Sequence, residues 1–150
     1  GEFGYFISSL NSNTRARISS SIGVKSSSDK DARLVEKIVF TLKDLRNAVA
    51  HNSTIFDTRF KTGEVSYRIS RYISSETGVN NISFNSIVDY VVLISFVMKL
   101  LQCTKTDITN FIKQFDEACE TLRKAVPTTI YAKIIFTDTK NKLNALKNFL

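Results

Sequence analysis

The chain has 150 residues, of which 43% are hydrophobic and 23% charged, proportions that are typical of one globular domain and too apolar for a disordered chain. Five Gly and one Pro are too few for the many tight turns of an all-β sandwich, so helix is the expected secondary structure. The formal net charge of +7 favours a polyanionic partner, because a cationic surface gains affinity by releasing counterions from phosphates.

Two cysteines and one histidine limit the metal and redox chemistry of the chain. Cys103 and Cys119 form no C-x-x-C motif, and with His51 they do not make a usual zinc ligand set. We therefore expect reduced thiols, a cytoplasmic protein, and no metal or cofactor. The apolar residues 90–98 are too few to cross a bilayer, so no membrane association is expected. Because the chain begins with Gly1 in place of Met, we expect the natural protein to extend further at this end.

In chain order, two short helices are predicted first, over residues 2–10 and 14–22. A serine run then ends this pattern, and Ser28 or Asp29 is a suitable N-cap for the next helix. Residues 29–51 form a long helix, because apolar residues recur along it every three or four positions, and we expect this apolar face to pack on the core. The face consists of Leu34, Val35, Ile38, Val39, Leu42, Leu45 and Val49.

The segment after this helix is polar and irregular. Residues 52–81 contain Gly63 and Gly78, and we interpret them as a functional loop region with a short helix over residues 67–75. A second long helix follows over residues 84–102, where apolar residues again repeat at helical spacing.

Helical periodicity continues to the C-terminus. Thr104 or Thr106 can cap a third long helix, which ends before Pro127. Residues 128–136 fit either a strand or a helix by local propensity, and residues 140–149 are helix-like. The whole chain is therefore predicted to be a single all-α domain, a bundle of about four to six helices with an irregular loop after the first long helix.

The only histidine of the chain ends the first long helix. His51 lies four positions after Asn47, so the two share one helical face, and Phe40 and Asp44 extend the same stripe. Arg46 lies between this stripe and the apolar face. An aromatic residue and a histidine on a non-core stripe indicate a second packing surface, and we expect these four residues to form a homodimer interface.

These residue types suit cleavage of RNA by its own 2′-hydroxyl group. The reaction needs one proton to be taken, one to be given, and the charge on the phosphate to be stabilised. Histidine titrates near neutral pH and can transfer protons. The guanidinium of Arg46 can clamp the phosphate, and Asn47 can orient the imidazole or bind the substrate.

A structural role accounts for the same residues without chemistry. A cation such as protonated His51 is favoured at a helix C-terminus, and Asn52 can be part of the end cap. Arg46 can lie along the edge of the core. The spacing alone leaves both interpretations open.

The sequence around His51 resembles a known signature. Residues 46–51, Arg-Asn-Ala-Val-Ala-His, resemble the R-x-x-x-x-H motif of HEPN domains, in which a polar residue commonly follows the Arg. The continuation with Asn52 and the Ile-Phe-Asp triplet at 55–57 is similar to abortive-infection (Abi) proteins of the AbiD and AbiF kind, which read approximately R-N-x-x-A-H-H/N-x-x-L-W-N. Residues 1–10 resemble, more loosely, an F-G-E-L-like segment that precedes the motif in those proteins.

This resemblance implies an HEPN-like helical bundle that dimerises across the motif helix and joins two Arg/His sets into one composite ribonuclease site. It implies metal-independent RNA cleavage in phage defence or as a toxin, with an antitoxin or regulatory partner. By position, Arg46 would contact the scissile phosphate, His51 would be the acid and base, and Asn47 would support them.

Two departures from the family pattern matter. Asn52 replaces a second histidine that is frequent in Abi members, and Ser53 stands where some HEPN toxins have a tyrosine that a partner nucleotidyltransferase modifies. We therefore expect no regulation by that modification. The alternative to a ribonuclease is a non-catalytic HEPN-like module that binds RNA or a protein.

Cations and aromatic rings alternate in the loop region after the motif, as single-stranded RNA binding requires for phosphate attraction and base stacking. The alternative is that the rings pack a short helix onto the bundle while the charges are solvated. The expected RNA-binding residues are Asn52, Arg59, Lys61, Arg68, Arg71 and Tyr72.

Overall fold

A computed structural model describes residues 2–25, 27 and 29–150, and this part of the chain contains eight α-helices and no β-strand. The all-α prediction is confirmed. There are more helices than the predicted four to six because each short segment forms a separate helix. One of these is the segment over residues 128–134, where a strand was the alternative. The helices are α1 (Glu2–Ser9), α2 (Ser12–Ser21), α3 (Leu34–Ala50), α4 (Tyr67–Thr77), α5 (Ile87–Leu100), α6 (Lys105–Ala125), α7 (Thr128–Ile134) and α8 (Thr139–Phe149).

The motif helix α3 begins five residues later than predicted, at Leu34. The carboxylate of Asp29 accepts hydrogen bonds from the backbone N–H groups of Arg33, at 3.1 Å, and Leu34, at 3.0 Å. Asp29 therefore satisfies N–H groups at the start of the helix, as a capping residue does, from beyond an intervening turn. Ser28, the other predicted cap, lies outside the described residues, as does Gly1.

Helix α5 lies at the centre of the bundle and contacts α3, α4, α6 and α8. Its side chains are buried on nearly all sides, which explains why the sequence here is almost continuously apolar. In the part of the chain that the structure describes, no helix combines the length and apolarity needed to span a membrane.

The capping prediction for α6 is confirmed at Thr104. Its hydroxyl accepts from the backbone N–H of Asp107 at 3.1 Å, and the Asp107 carboxylate accepts from the backbone N–H of Thr104 at 3.3 Å. This reciprocal pair fixes where the helix begins.

The apolar face predicted for α3 is largely buried, with one exception. Leu34, Val35, Ile38 and Leu45 belong to the core. The prediction for Val49 is wrong, because this side chain is 56% exposed at the end of the helix.

A buried ion pair ties three parts of the chain together. Lys142 on α8 places its ammonium nitrogen 2.7 Å from Asp89 Oδ1 on α5, and both side chains are almost inaccessible to solvent. The other oxygen of Asp89 accepts from the backbone N–H groups of Ser83, at 3.0 Å, and Phe84, at 2.9 Å. Lys142 also lies 3.0 Å from a carboxylate oxygen of Asp138.

Removing one partner of this buried ion pair should lower the stability of the fold. We expect Lys142→Met to lower the free energy of unfolding by about 3–5 kcal/mol, because Asp89 would remain buried without its ammonium partner. Urea denaturation followed by circular dichroism measures the change. Lys113→Met is the control: this side chain is 71% exposed, so its ion pair with Glu117 should contribute less than about 1 kcal/mol. Equal costs for the two variants would contradict the importance of the buried pair.

Candidate active site

A polar cleft of about 500 Å³ lies beside the C-terminal end of α3. Residues of α3 form one wall, and the segment over residues 53–62 forms the other. The helical wall consists of Lys43, Asp44, Asn47, Ala48 and His51.

The turn that ends α3 presents His51 to this cleft. Asn52 has a φ of +51°, and its backbone N–H bonds to Val49 O, while the N–H of Ser53 bonds to Ala48 O at 2.8 Å. These two bonds form a Schellman end, in which Asn is one of the few residues besides Gly that adopt the left-handed conformation readily. The backbone of Asn52 thus serves the end cap, and the exposed imidazole of His51 faces the cleft.

Asn47 and His51 line the same cleft, and Arg46 stands at its edge. Arg46 is exposed, and its Nη1 donates a hydrogen bond to Asn47 Oδ1 at 3.2 Å. Arg46 is not part of the cleft wall. Among the described residues, no carboxylate forms an ion pair with Arg46.

Phe40, which we predicted at a dimer interface, is covered by α1 of its own chain. The ring of Tyr5 packs edge to face on Phe40, with ring centroids 5.3 Å apart. A Cβ atom on Gly4 would lie only 2.9 Å from the Phe40 ring, so the glycine allows the two helices to approach this closely. Phe40 is therefore partly covered within its own chain, and its place in a dimer interface stays a prediction.

Both oxygens of the Asp44 carboxylate likewise have partners within the chain. Its Oδ2 accepts hydrogen bonds from the backbone N–H of Thr62, at 3.2 Å, and from the Thr62 hydroxyl, at 3.0 Å. Its Oδ1 lies 3.1 Å from the ammonium nitrogen of Lys43. Asp44 thus anchors the far end of the segment that forms the second wall of the cleft. Three residues of the predicted interface stripe therefore line the cleft, and of these Asp44 is the one that bonds to the second wall.

The two predicted RNA-binding cations of this segment differ in their contacts. Arg59 lines the cleft and is 84% exposed, and its Nε lies 2.5 Å from a carboxylate oxygen of Asp57. The backbone N–H of Arg59 and its guanidinium lower the pKa of Asp57. Lys61 instead donates to Asn85 Oδ1 at 2.6 Å and to Phe84 O at 3.4 Å. Lys61 therefore fastens the loop to the start of α5 and does not line the cleft.

Arg68 and Arg71 lie elsewhere. They line a groove along α4 that shares no lining residue with the cleft. Arg68 pairs with Asp31 at 3.0 Å, and the guanidinium of Arg71 lies 5.9 Å from the ring centroid of Tyr67. The single RNA-binding surface expected from the sequence is thus divided into two separate places.

Tyr72 lines the α4 groove together with Arg68 and Arg71, but it is only 6% exposed, so little of its ring is open to a base. Tyr72 is buried and packs edge to face against Phe96, with ring centroids 5.6 Å apart. Burial raises the pKa of Tyr72 to about 12. Its ring belongs to the core, as the structural alternative expected.

Sequence reasoning missed several residues of the cleft, among them Lys43, Asp57 and Thr62. Lys43 lies four positions before Asn47, so helical spacing alone would have placed it on the same face. Asp57 and Thr62 reach the cleft through the path of the loop, for which the sequence has no comparable signal. Among the described residues, no three His, Cys, Asp or Glu side chains are grouped so that they could hold a metal ion.

Comparison with known proteins adds no relationship. No family model, curated protein or solved structure matches the chain significantly. The resemblance to HEPN and Abi proteins therefore depends on residues 46–57, with the looser likeness of residues 1–10, and any function must be argued from the cleft itself.

Asp44→Ala should loosen the second wall of the cleft. We expect hydrogen exchange at the Thr62 amide to accelerate at least about tenfold, because this N–H loses its acceptor, while the free energy of unfolding falls by about 1–2 kcal/mol. Exchange followed by NMR measures the first effect. Asp116→Ala removes a carboxylate that pairs with Lys140 on another surface, so it is the control. Unchanged exchange at Thr62 in Asp44→Ala would contradict the anchoring role.

Proposed function

We propose that this chain is a metal-independent endoribonuclease of HEPN type, which acts as a homodimer in the cytoplasm in phage defence or as a toxin. The observation that carries the proposal is the cleft at the end of α3. It contains the only histidine of the chain, exposed beside Asn47, with Arg46 at its edge. Lys43 and Arg59 also line the cleft, where each is paired with a carboxylate, that of Asp44 and that of Asp57.

The proposed reaction uses the imidazole of His51 for proton transfer. A neutral imidazole takes the proton of a ribose 2′-hydroxyl, and the resulting oxygen attacks the adjacent phosphorus. The bond from phosphorus to the 5′-oxygen breaks, and that oxygen receives a proton from a protonated imidazole. The products are a 2′,3′-cyclic phosphate and a 5′-hydroxyl.

One chain supplies one imidazole, and this is the argument for a composite site. A single imidazole cannot be both the neutral base and the protonated acid in the same step. A second protomer would supply the other imidazole if the cleft lay on a two-fold axis. Because α1 covers Phe40, the proposed interface is centred on the turn from Asn47 to His51.

Arg46 is the proposed phosphate ligand. In the free chain its guanidinium bonds to a neutral amide oxygen, that of Asn47, at an exposed position. A phosphate is a stronger partner, because a hydrogen bond between two charged groups is shorter and about twice as strong as a neutral one. Rotation of the Arg46 side chain away from Asn47 would bring it to the substrate.

The alternative function is a non-catalytic HEPN-like module that binds RNA or a protein partner, such as an antitoxin, at the same cleft. The observation that favours it is that Arg46 lies outside the cleft wall and is engaged by Asn47. This alternative expects binding at the cleft without any change in the bound RNA.

The two functions are separated by incubating the protein with single-stranded RNA in the presence of EDTA. We expect His51→Ala to lower the cleavage rate about 10²–10⁴-fold, which is the usual contribution of a general acid or base. Product analysis should find cyclic phosphate ends. Equal rates in the parent and His51→Ala would remove His51 from the mechanism, and RNA binding without cleavage in the parent would favour the alternative.

Arg46→Ala should also slow cleavage while leaving the melting temperature nearly unchanged, because an exposed side chain contributes little to stability. Arg17→Ala is the matched control, since Arg17 is an exposed arginine of α2 outside the cleft. A large loss of stability in Arg46→Ala would indicate a structural role for that residue.

A composite site makes activity depend on protomer concentration. Below the dissociation constant of the dimer, the specific activity should fall in proportion to the protein concentration, because only dimers carry a complete site. Sedimentation velocity over the same dilution series measures the dimer fraction. A monomer at high concentration, or a specific activity that ignores dilution, would rule out the shared site.

A further inference from the structure

An apolar cavity of about 320 Å³ lies on the side of α3 away from the cleft. Its walls come from α3, α5, α6, the segment after α3, and Ile135. Every lining side chain is apolar except for the hydroxyl of Tyr90 and the thiol of Cys119. Burial raises the pKa of Cys119 to about 11, so the thiol stays neutral.

The cavity opens to solvent beside the end of α3. Three of its lining residues are exposed: Val49, 56% exposed, Phe56, 43% exposed, and Ala118. This explains why Val49 has the helical spacing of a core residue and is nevertheless exposed to solvent. The opening is therefore a mouth that an outside molecule can enter.

The walls of this cavity specify the chemistry of its occupant. Apart from the Tyr90 hydroxyl and the weakly polar Cys119 thiol, these walls offer water no hydrogen bonds, which is fewer than the two to four partners that a buried water usually has, so an apolar occupant is favoured. A nucleobase is disfavoured, because its polar edges would be buried without partners. At ~30 Å³ per atom, the volume that one water molecule occupies in the liquid, the cavity has room for about ten carbon atoms.

The charge near the mouth of the cavity indicates which head group the bound molecule would have outside it. Arg46 precedes Val49 by three positions, so the two side chains lie about 60° apart around the helix. Among the described residues, Arg46 has no carboxylate partner, and it bonds to the neutral Asn47 amide. The carboxylates nearest in sequence to the other two exposed residues are already paired: Asp57 with Arg59, and Glu117 with Lys113.

We infer that this cavity binds a single-chain amphiphile with an anionic head, such as a carboxylate with a chain of about ten carbons. The chain occupies the apolar cavity, and the head receives hydrogen bonds from Arg46. A carboxylate is a stronger partner for the guanidinium than the amide of Asn47 is. The cavity lies on the other side of α3 from the cleft of His51, and its binding of an amphiphile does not depend on RNA cleavage, although both proposals use Arg46.

The test compares three probes with the same chain and different heads: decanoate and decyltrimethylammonium, each below its critical micelle concentration, and decanol below its solubility limit. Isothermal titration calorimetry should rank their affinities in that order. Arg46→Gln should weaken decanoate about threefold to tenfold and leave decanol unchanged, because an exposed charged pair contributes modestly. Absence of binding by all three probes, or tightest binding of the cation, would overturn the inference.

Variants that block the mouth of the cavity test whether decanoate binds there. Ala118→Phe places a ring at the mouth and should abolish decanoate binding, whereas Ala125→Phe puts the same ring on an exposed position of α6 outside the cavity. Val49→Phe is a second blocking variant, in case the first disturbs folding. Unchanged binding in a folded blocking variant would place the ligand elsewhere. Loss of an oligomer in the blocking variants would identify a second copy of the chain as the occupant and overturn the inference.

Discussion

The buried pair of Asp89 and Lys142 is the constraint on which the arrangement of helices depends. Asp89 lies in the first turn of α5, where the helix dipole favours an anion, and both of its oxygens have hydrogen-bond partners. A buried charge is tolerated only when its partners are all in place. The contacts of Asp89 therefore hold α8 and the loop before α5 against the central helix, and α5 in turn supports α3.

Side chains around the circumference of the motif helix α3 have three different environments. Leu45 and Val49 face the apolar cavity, Asn47 and His51 face the polar cleft, and Arg46, which lines neither, bonds to Asn47. The two openings have opposite chemistry although they share one turn of helix. The exposed guanidinium of Arg46 contacts Asn47 at the cleft, and Arg46 lies about 60° around the helix from Val49 at the mouth of the cavity.

Local pattern predicted most of the helices, because period and capping residues are properties of neighbouring positions. It also paired Asn47 with His51 by spacing. It did not predict the surroundings of Phe40, Val49 and Tyr72, because these are set by residues distant in the chain: the close approach of α1, the open gap beside α6, and the core around Phe96. The second wall of the cleft, formed by residues 53–62, was also not predicted, because it depends on the long-range hydrogen bonds between Asp44 and Thr62.

The left-handed backbone at Asn52 limits which amino acids the chain can have there. Asn, Asp and His occupy this conformation several times more often than other residues with a side chain, and β-branched residues almost never do. The Abi pattern that this segment resembles allows either His or Asn at the same position. The turn accommodates both of these residues, as it would Asp or Gly, so the backbone of the end cap is a sufficient reason for Asn at position 52, without any part for its side chain in a reaction.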